Sequence, residues 1–93
     1  MAKLIIFVKY YFFIWAGENP NERKHIHIFR TNSKNVKGAK VWLDDLSIFE
    51  RGDFTEKELN QIKKDLDKYY ELTVSQVEKV LNGEKTKAIL IKK

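Results

Sequence analysis

Lys3-Leu-Ile-Ile-Phe-Val-Lys-Tyr-Tyr-Phe-Phe-Ile-Trp15 is dense in β-branched and aromatic side chains, which pack well on a pleated surface. Read as one strand, it puts Leu4, Ile6, Val8, Tyr10, Phe12 and Ile14 on one face. Ile5, Phe7, Tyr11, Phe13 and Trp15 fall on the other, with Lys9. A strand apolar on both faces is normally central and covered on both sides. A chain of 93 residues has few helices for that task. The strand is therefore expected to be bent or bulged, or to be partly covered by a second copy through self-association. The apolar run from Leu4 to Ala16 is about 13 residues long and contains Lys9, short of the roughly 20 needed to span a bilayer. It carries no clear secretory cleavage site. No membrane partner is expected, and the run belongs to the folded domain.

Outward from this stretch, Gly17-Glu-Asn-Pro-Asn21 is turn chemistry, followed by a strand from about Arg23 to Thr31. Thr31-Asn-Ser-Lys-Asn35 is a second polar turn. Ala39-Lys-Val-Trp-Leu43 alternates as a third strand, Asp44-Asp45 ends it, and Leu46-Ser-Ile-Phe-Glu50 makes a short fourth. Thr55-Glu-Lys-Glu58 matches a capping box, with Leu59, Ile62, Leu66 and Tyr69 behind it at helical spacing. Thr73-Val-Ser-Gln76 matches a second box before Val77, Val80 and Leu81, and Gly83 is the stop. One unbroken helix over 55–82 is the competing reading. Strands first and helices after predict an α+β fold. Its antiparallel sheet has three to five strands, with one or two C-terminal helices packed on one face. The expectation is a single domain over 1–93, with 84–93 as an extra strand or a trailing tail.

The formal charge is +5 and there is no cysteine. The missing cysteine excludes disulfides and thiolate metal sites and fits a cytoplasmic setting. The basic balance favours an anionic partner, nucleic acid first, or a partner protein. Arg23-Lys24 forms one local basic group, and Lys34, Lys37 and Lys40 form another.

Histidine occurs only in His25-Ile-His-Ile-Phe29. Strand alternation puts His25, His27 and Phe29 on one face and Ile26 and Ile28 on the other, with the imidazoles about 6 to 7 Å apart. Such a pair can bind one metal, share a proton or grip a phosphate. For a metal the candidate ligands are His25, His27 and Glu22, with Asp44 or Asp45 as a fourth. The cofactor stays unknown, a divalent metal being open but not favoured. For proton transfer at an RNA backbone, His25 and His27 would be base and acid, with Arg23, Lys24 and Arg30 holding phosphate. Arg23, Lys24, Arg30 and Lys40 are the candidate contacts to nucleic acid or a partner. The structural alternative has both histidines bonded within the sheet or facing solvent. Trp42 is expected as a core anchor rather than a base-stacking platform. Tyr69 and Tyr70 are adjacent on a helix, so only one is expected to face the core, leaving Tyr70 half exposed. No phosphate loop, nucleophile elbow, His-Glu-x-x-His or zinc-finger spacing is present.

Tyr10 to Trp15, Glu22, His25-Ile-His27, Ala39-Lys-Val-Trp-Leu43 and Phe54-Thr-Glu-Lys-Glu-Leu59 occur here in one order. Together they make the chain, over about residues 5 to 80, resemble the uncharacterised bacterial domain-of-unknown-function family 4160. The resemblance implies a small stand-alone protein, suspected of acting in toxin–antitoxin-like gene pairs, and brings no established activity. The chain departs from the family pattern in lacking a Trp-Asn pair near the helix end and in its tail after Gly83. Two functional readings follow. One is an interaction module for a partner protein or nucleic acid. The other is a metal-dependent or acid–base ribonuclease using His25 and His27, so whether the chain is an enzyme stays open.

Overall fold

The computed structural model describes residues 2–14, 23–31 and 37–92. In chain order the elements are β1 (Ala2–Ile6), β2 (Tyr10–Ile14), β3 (His25–Arg30), β4 (Ala39–Trp42) and β5 (Ile48–Glu50). They are followed by α1 (Glu56–Lys68), α2 (Tyr70–Leu81) and β6 (Ile89–Leu90). One six-stranded sheet runs β5-β4-β3-β2-β1-β6. All neighbours are antiparallel except β1 and β6, which are parallel. This is the expected α+β fold with two helices and one strand more than the expected range.

The extra strand corrects the reading of the first stretch. It is a hairpin, not one strand: Ile6 pairs with Tyr11, and the Phe7 amide donates to the Tyr10 carbonyl at 2.8 Å across Val8-Lys9. Val8 and Lys9 carry none of the glycine or asparagine that marks a tight turn, so the reversal has no turn signal in the sequence. The turn is braced from the end of β3, where the Thr31 amide and hydroxyl donate to the Lys9 and Val8 carbonyls, each at 3.1 Å. A bulge also lies in β1, because Lys3 opposes Phe13 while Ile5 opposes Phe12. Leu4 is the extra residue, and both Leu4 and Ile5 enter the core. Folding the stretch on itself divides its apolar side chains between two neighbouring strands, and the helices cover one face of both.

Phe12, Ile14, Ile26, Ile28, Ala39 and Val41 form the sheet side of the core, and Ile62, Leu66 and Val77 form the helix side. The Thr55 hydroxyl accepts from the Glu58 amide at 3.2 Å, and Glu58 accepts from the Thr55 amide at 2.9 Å, so the first capping box forms. The second does not. Thr73 lies inside α2 with its hydroxyl donating to the Tyr69 carbonyl at 2.8 Å. Gln76 instead donates to the Leu4 carbonyl at 3.1 Å and the Lys87 carbonyl at 2.9 Å. The break between the helices comes earlier, at Tyr69 (φ −108°, ψ 25°), so an unbroken helix over 55–82 is excluded and two helices are present. Because the axis breaks between them, Tyr69 and Tyr70 both pack against the core, where a straight helix would admit one. Gly83 (φ 75°) ends α2, its amide donating to the Val80 carbonyl and the Glu84 amide to the Lys79 carbonyl, the two hydrogen bonds of a glycine C-cap. Beyond it, Ile89 and Leu90 pair with Ile5 and Ile6. Among the described residues no helix is long and apolar enough to cross a membrane.

A ring array on the face away from the helices

Alternation in β3 sends Ile26, Ile28 and Arg30 toward the helices and His25, His27 and Phe29 to the opposite face. One cross-strand row there reads Lys3, Phe13, His27, Lys40, Glu50 over five strands. His25 pairs with Trp42 in β4, and Tyr11 with Phe29. The imidazoles of His25 and His27 lie 4.8 Å apart, edge to face.

The two histidines have different surroundings. His27 is only 8 % exposed and lies nearly flat on Phe13, with centroids 5.0 Å apart and planes 18° from parallel. Burial pushes its pKa down to about 4, with His25 and Lys40 adding to the effect against Glu50. His27 is therefore neutral at pH 7. His25 is half-buried and sits edge-on to Trp42 and Phe49, each at 5.7 Å.

Trp42 corrects a second expectation, since it is not among the buried residues packed under the helices. Its ring is held between two partners. The Arg23 guanidinium lies 4.2 Å from its centroid, and Phe49 stacks 4.2 Å away with planes at 23°. Groups that close and that central must occupy opposite ring faces. Arg23 is itself fixed by Asp44, with Nε to Oδ2 at 2.9 Å and Nη2 to Oδ1 at 2.8 Å, and by Asp45 at 3.2 Å. The hydrogen bond from Arg23 holds the Asp44 carboxyl below its usual range, and bonds from Ser47 do the same for Asp45. A layered stack results, guanidinium on indole on phenyl, with the carboxylates at the edge of the guanidinium. Its outer end is the Phe49 ring, 39 % exposed.

Phe49 reaches this face through a bulge. Lys40 opposes Glu50 while Val41 opposes Ile48, so β5 carries one more residue than β4, and that residue is Phe49. The shift lets Phe49 and Glu50 both serve the same face. Glu50 pairs with Lys40 at 3.4 Å. Beside them is a cleft of about 510 Å³ lined by His27, Phe29, Lys37, Lys40, Glu50 and Arg51, with Gly38 and Gly52 in its wall.

The remaining site residues scatter. Arg30 points to the helix side, where Nη2 donates to Glu58 at 2.5 Å and to the Asp53 carbonyl at 2.8 Å, with the guanidinium 5.0 Å over Phe54. It is separated from the histidines by the sheet. Lys24 is exposed at the start of β3. Asp44 and Asp45 are turn residues engaged by Arg23 and Ser47. Glu22 lies outside the described residues, among which no three histidine or carboxylate side chains come together as metal ligands. Sequence reading missed Phe49 and Arg51. Their only signal is a position in or beside a short strand, and the bulge that aims Phe49 follows from pairing rather than composition.

No curated protein and no solved structure matches the chain. The model of the family described as Domain of unknown function (DUF4160) matches residues 10–76, the span from β2 into α2 that holds His25, His27, Trp42 and Phe49, and the chain belongs to that family.

Proposed function

We propose that this protein is an interaction module that binds single-stranded nucleic acid on the ring array of its sheet. The observation that carries the reading is Phe49. A bulge brings it onto the end of a preassembled stack and leaves it 39 % exposed, where an unpaired base can stack. Lys3, Lys37, Lys40 and Arg51 flank the rings, and the chain carries a net +5, so the charge suits an anionic partner better than a basic or neutral surface, and the stacking ring favours nucleic acid among anions. A cytoplasmic setting accords with the cysteine-free composition.

The ribonuclease reading has less support. A general base works best with a pKa near the operating pH, and His27, buried against Phe13 with its pKa near 4, is a weak one. Fluorescence anisotropy of a labelled oligouridylate octamer, against a duplex of the same length, tests the proposal. The single strand is expected to bind more tightly, with affinity falling log-linearly with salt. Phe49→Ala should weaken it by roughly 5- to 100-fold, the cost of one lost base stack, while Phe49→Trp retains it. No binding of the single strand at low salt overturns the proposal and leaves the face to a protein, such as the partner in a toxin–antitoxin-like pair. Cleavage of the octamer by the wild type but not by His25→Ala/His27→Ala would replace it with the ribonuclease reading.

A further inference from the structure

The geometry points to a phosphate subsite in the cleft beside Phe49, set by Lys37 and Arg51 and restrained by Glu50; this rests on the nucleic-acid reading of the same face. Phe49, Glu50 and Arg51 are consecutive, and an extended chain rises about 3.3 Å per residue. The Arg51 backbone, just past the end of β5, thus lies roughly 7 Å from that of Phe49, and its side chain lines the cleft. That is the reach from a base to the phosphate of its own nucleotide.

The cleft has an open floor for structural reasons. Gly52 adopts φ +58°, and a Cβ there would meet the Lys37 and Gly38 carbonyl oxygens at 2.3 and 2.6 Å. A Cβ at Gly38 would strike the Phe29 ring at 2.3 Å. Two backbones therefore meet without side chains between them, and Lys37 and Arg51 rise at the rim. Among the described residues neither is held in an ion pair, although Arg51 Nη2 lies 3.4 Å from the Phe54 carbonyl. Two carboxylates are near. Asp53 accepts from the Lys37 amide at 2.9 Å. Glu50 is 54 % exposed and holds Lys40 at 3.4 Å, so it both neutralises a third cation and repels an incoming anion.

These roles give opposite signs. Lys37→Gln and Arg51→Gln should each weaken the oligouridylate octamer about 3- to 10-fold and reduce the slope of log affinity against log salt by about one. Glu50→Gln should strengthen binding about 3- to 10-fold and steepen the slope by about one, because Lys40 is released and a repulsive charge removed. Phe49→Ala should lower affinity with the slope unchanged. If the wild type binds and Phe49→Ala weakens it while the three charge variants keep the wild-type slope, the subsite is refuted and the stacking reading stands. If the wild type binds no single strand, both fall. A gain in Glu50→Gln that comes with the wild-type circular dichroism spectrum and melting temperature is not the non-specific binding of an unfolded basic chain, which keeps the outcome decisive.

Discussion

His27 illustrates how one position on a strand acquires its character from neighbours far away in the chain. Phe13 lies under it and Lys40 beside it, and both meet it only through sheet pairing. Its charged form is disfavoured in the folded protein, so its pKa lies near 4 there and near 6.5 in the unfolded chain. Between those values the unfolded chain binds more protons, and stability falls as pH drops from 7 toward 4. The His27 contribution should cost about 2 kcal/mol at pH 5 relative to pH 7. Urea unfolding at the two pH values should show that loss in the wild type. His27→Phe, which keeps the flat contact and removes the titration, should lose about 2 kcal/mol less over the same interval. Equal losses in the two proteins would show that His27 is not the acid-sensitive group.

Two segments with the same local signature behave differently at the scale of elements. Thr55-Glu-Lys-Glu58 caps α1, and Thr55→Ala should cost about 1 kcal/mol of stability by thermal or urea unfolding. Thr73-Val-Ser-Gln76 has the spacing of a box but sits within α2, because the helix already restarts at Tyr70. Gln76 is 4 % exposed and ties α2 to β1 and to the segment before β6. Gln76→Leu leaves two carbonyls without that donor and should cost about 1 to 3 kcal/mol. Amide exchange at Ile91, which donates to the Ile6 carbonyl, should accelerate in that variant more than exchange in β3. If exchange rises equally in both, the tie acts on global stability alone.

Across the whole molecule the sheet separates two tasks. Its helix side buries the core, and Tyr10 donates there to Asp65, a carboxylate only 3 % exposed; burial and that bond keep the phenol protonated well above neutral pH. Its other side carries the ring array. Substitutions on the two sides should therefore have separable effects. Leu66→Ala, in the core, should lower unfolding free energy by about 2 to 5 kcal/mol yet leave octamer affinity at about 10 °C within about twofold. Phe49→Ala should do the reverse, losing affinity with a stability change below about 1 kcal/mol. A large affinity loss in Leu66→Ala, with the protein shown folded by circular dichroism, would mean that the faces are coupled.

The fold class, the β3 alternation, the α1 cap and the Gly83 stop were legible in the sequence because each depends on residues within a few positions of one another. So was the histidine pair, which strand periodicity alone assigns to one face. The Val8-Lys9 reversal was not, since its bracing comes from Thr31 and neither Val8 nor Lys9 is a turn residue. Nor were the roles of Trp42, Phe49 and Arg30. Each depends on which strand lies alongside and in what register, and a one-residue bulge moves Phe49 from one face of the sheet to the other. Local propensity and periodicity belong to the chain. The separation of Arg30 from the histidines, the neutral His27 and the partly exposed Phe49 at the end of the Arg23-Trp42-Phe49 stack exist only once the strands have paired, because contacts between distant segments create them.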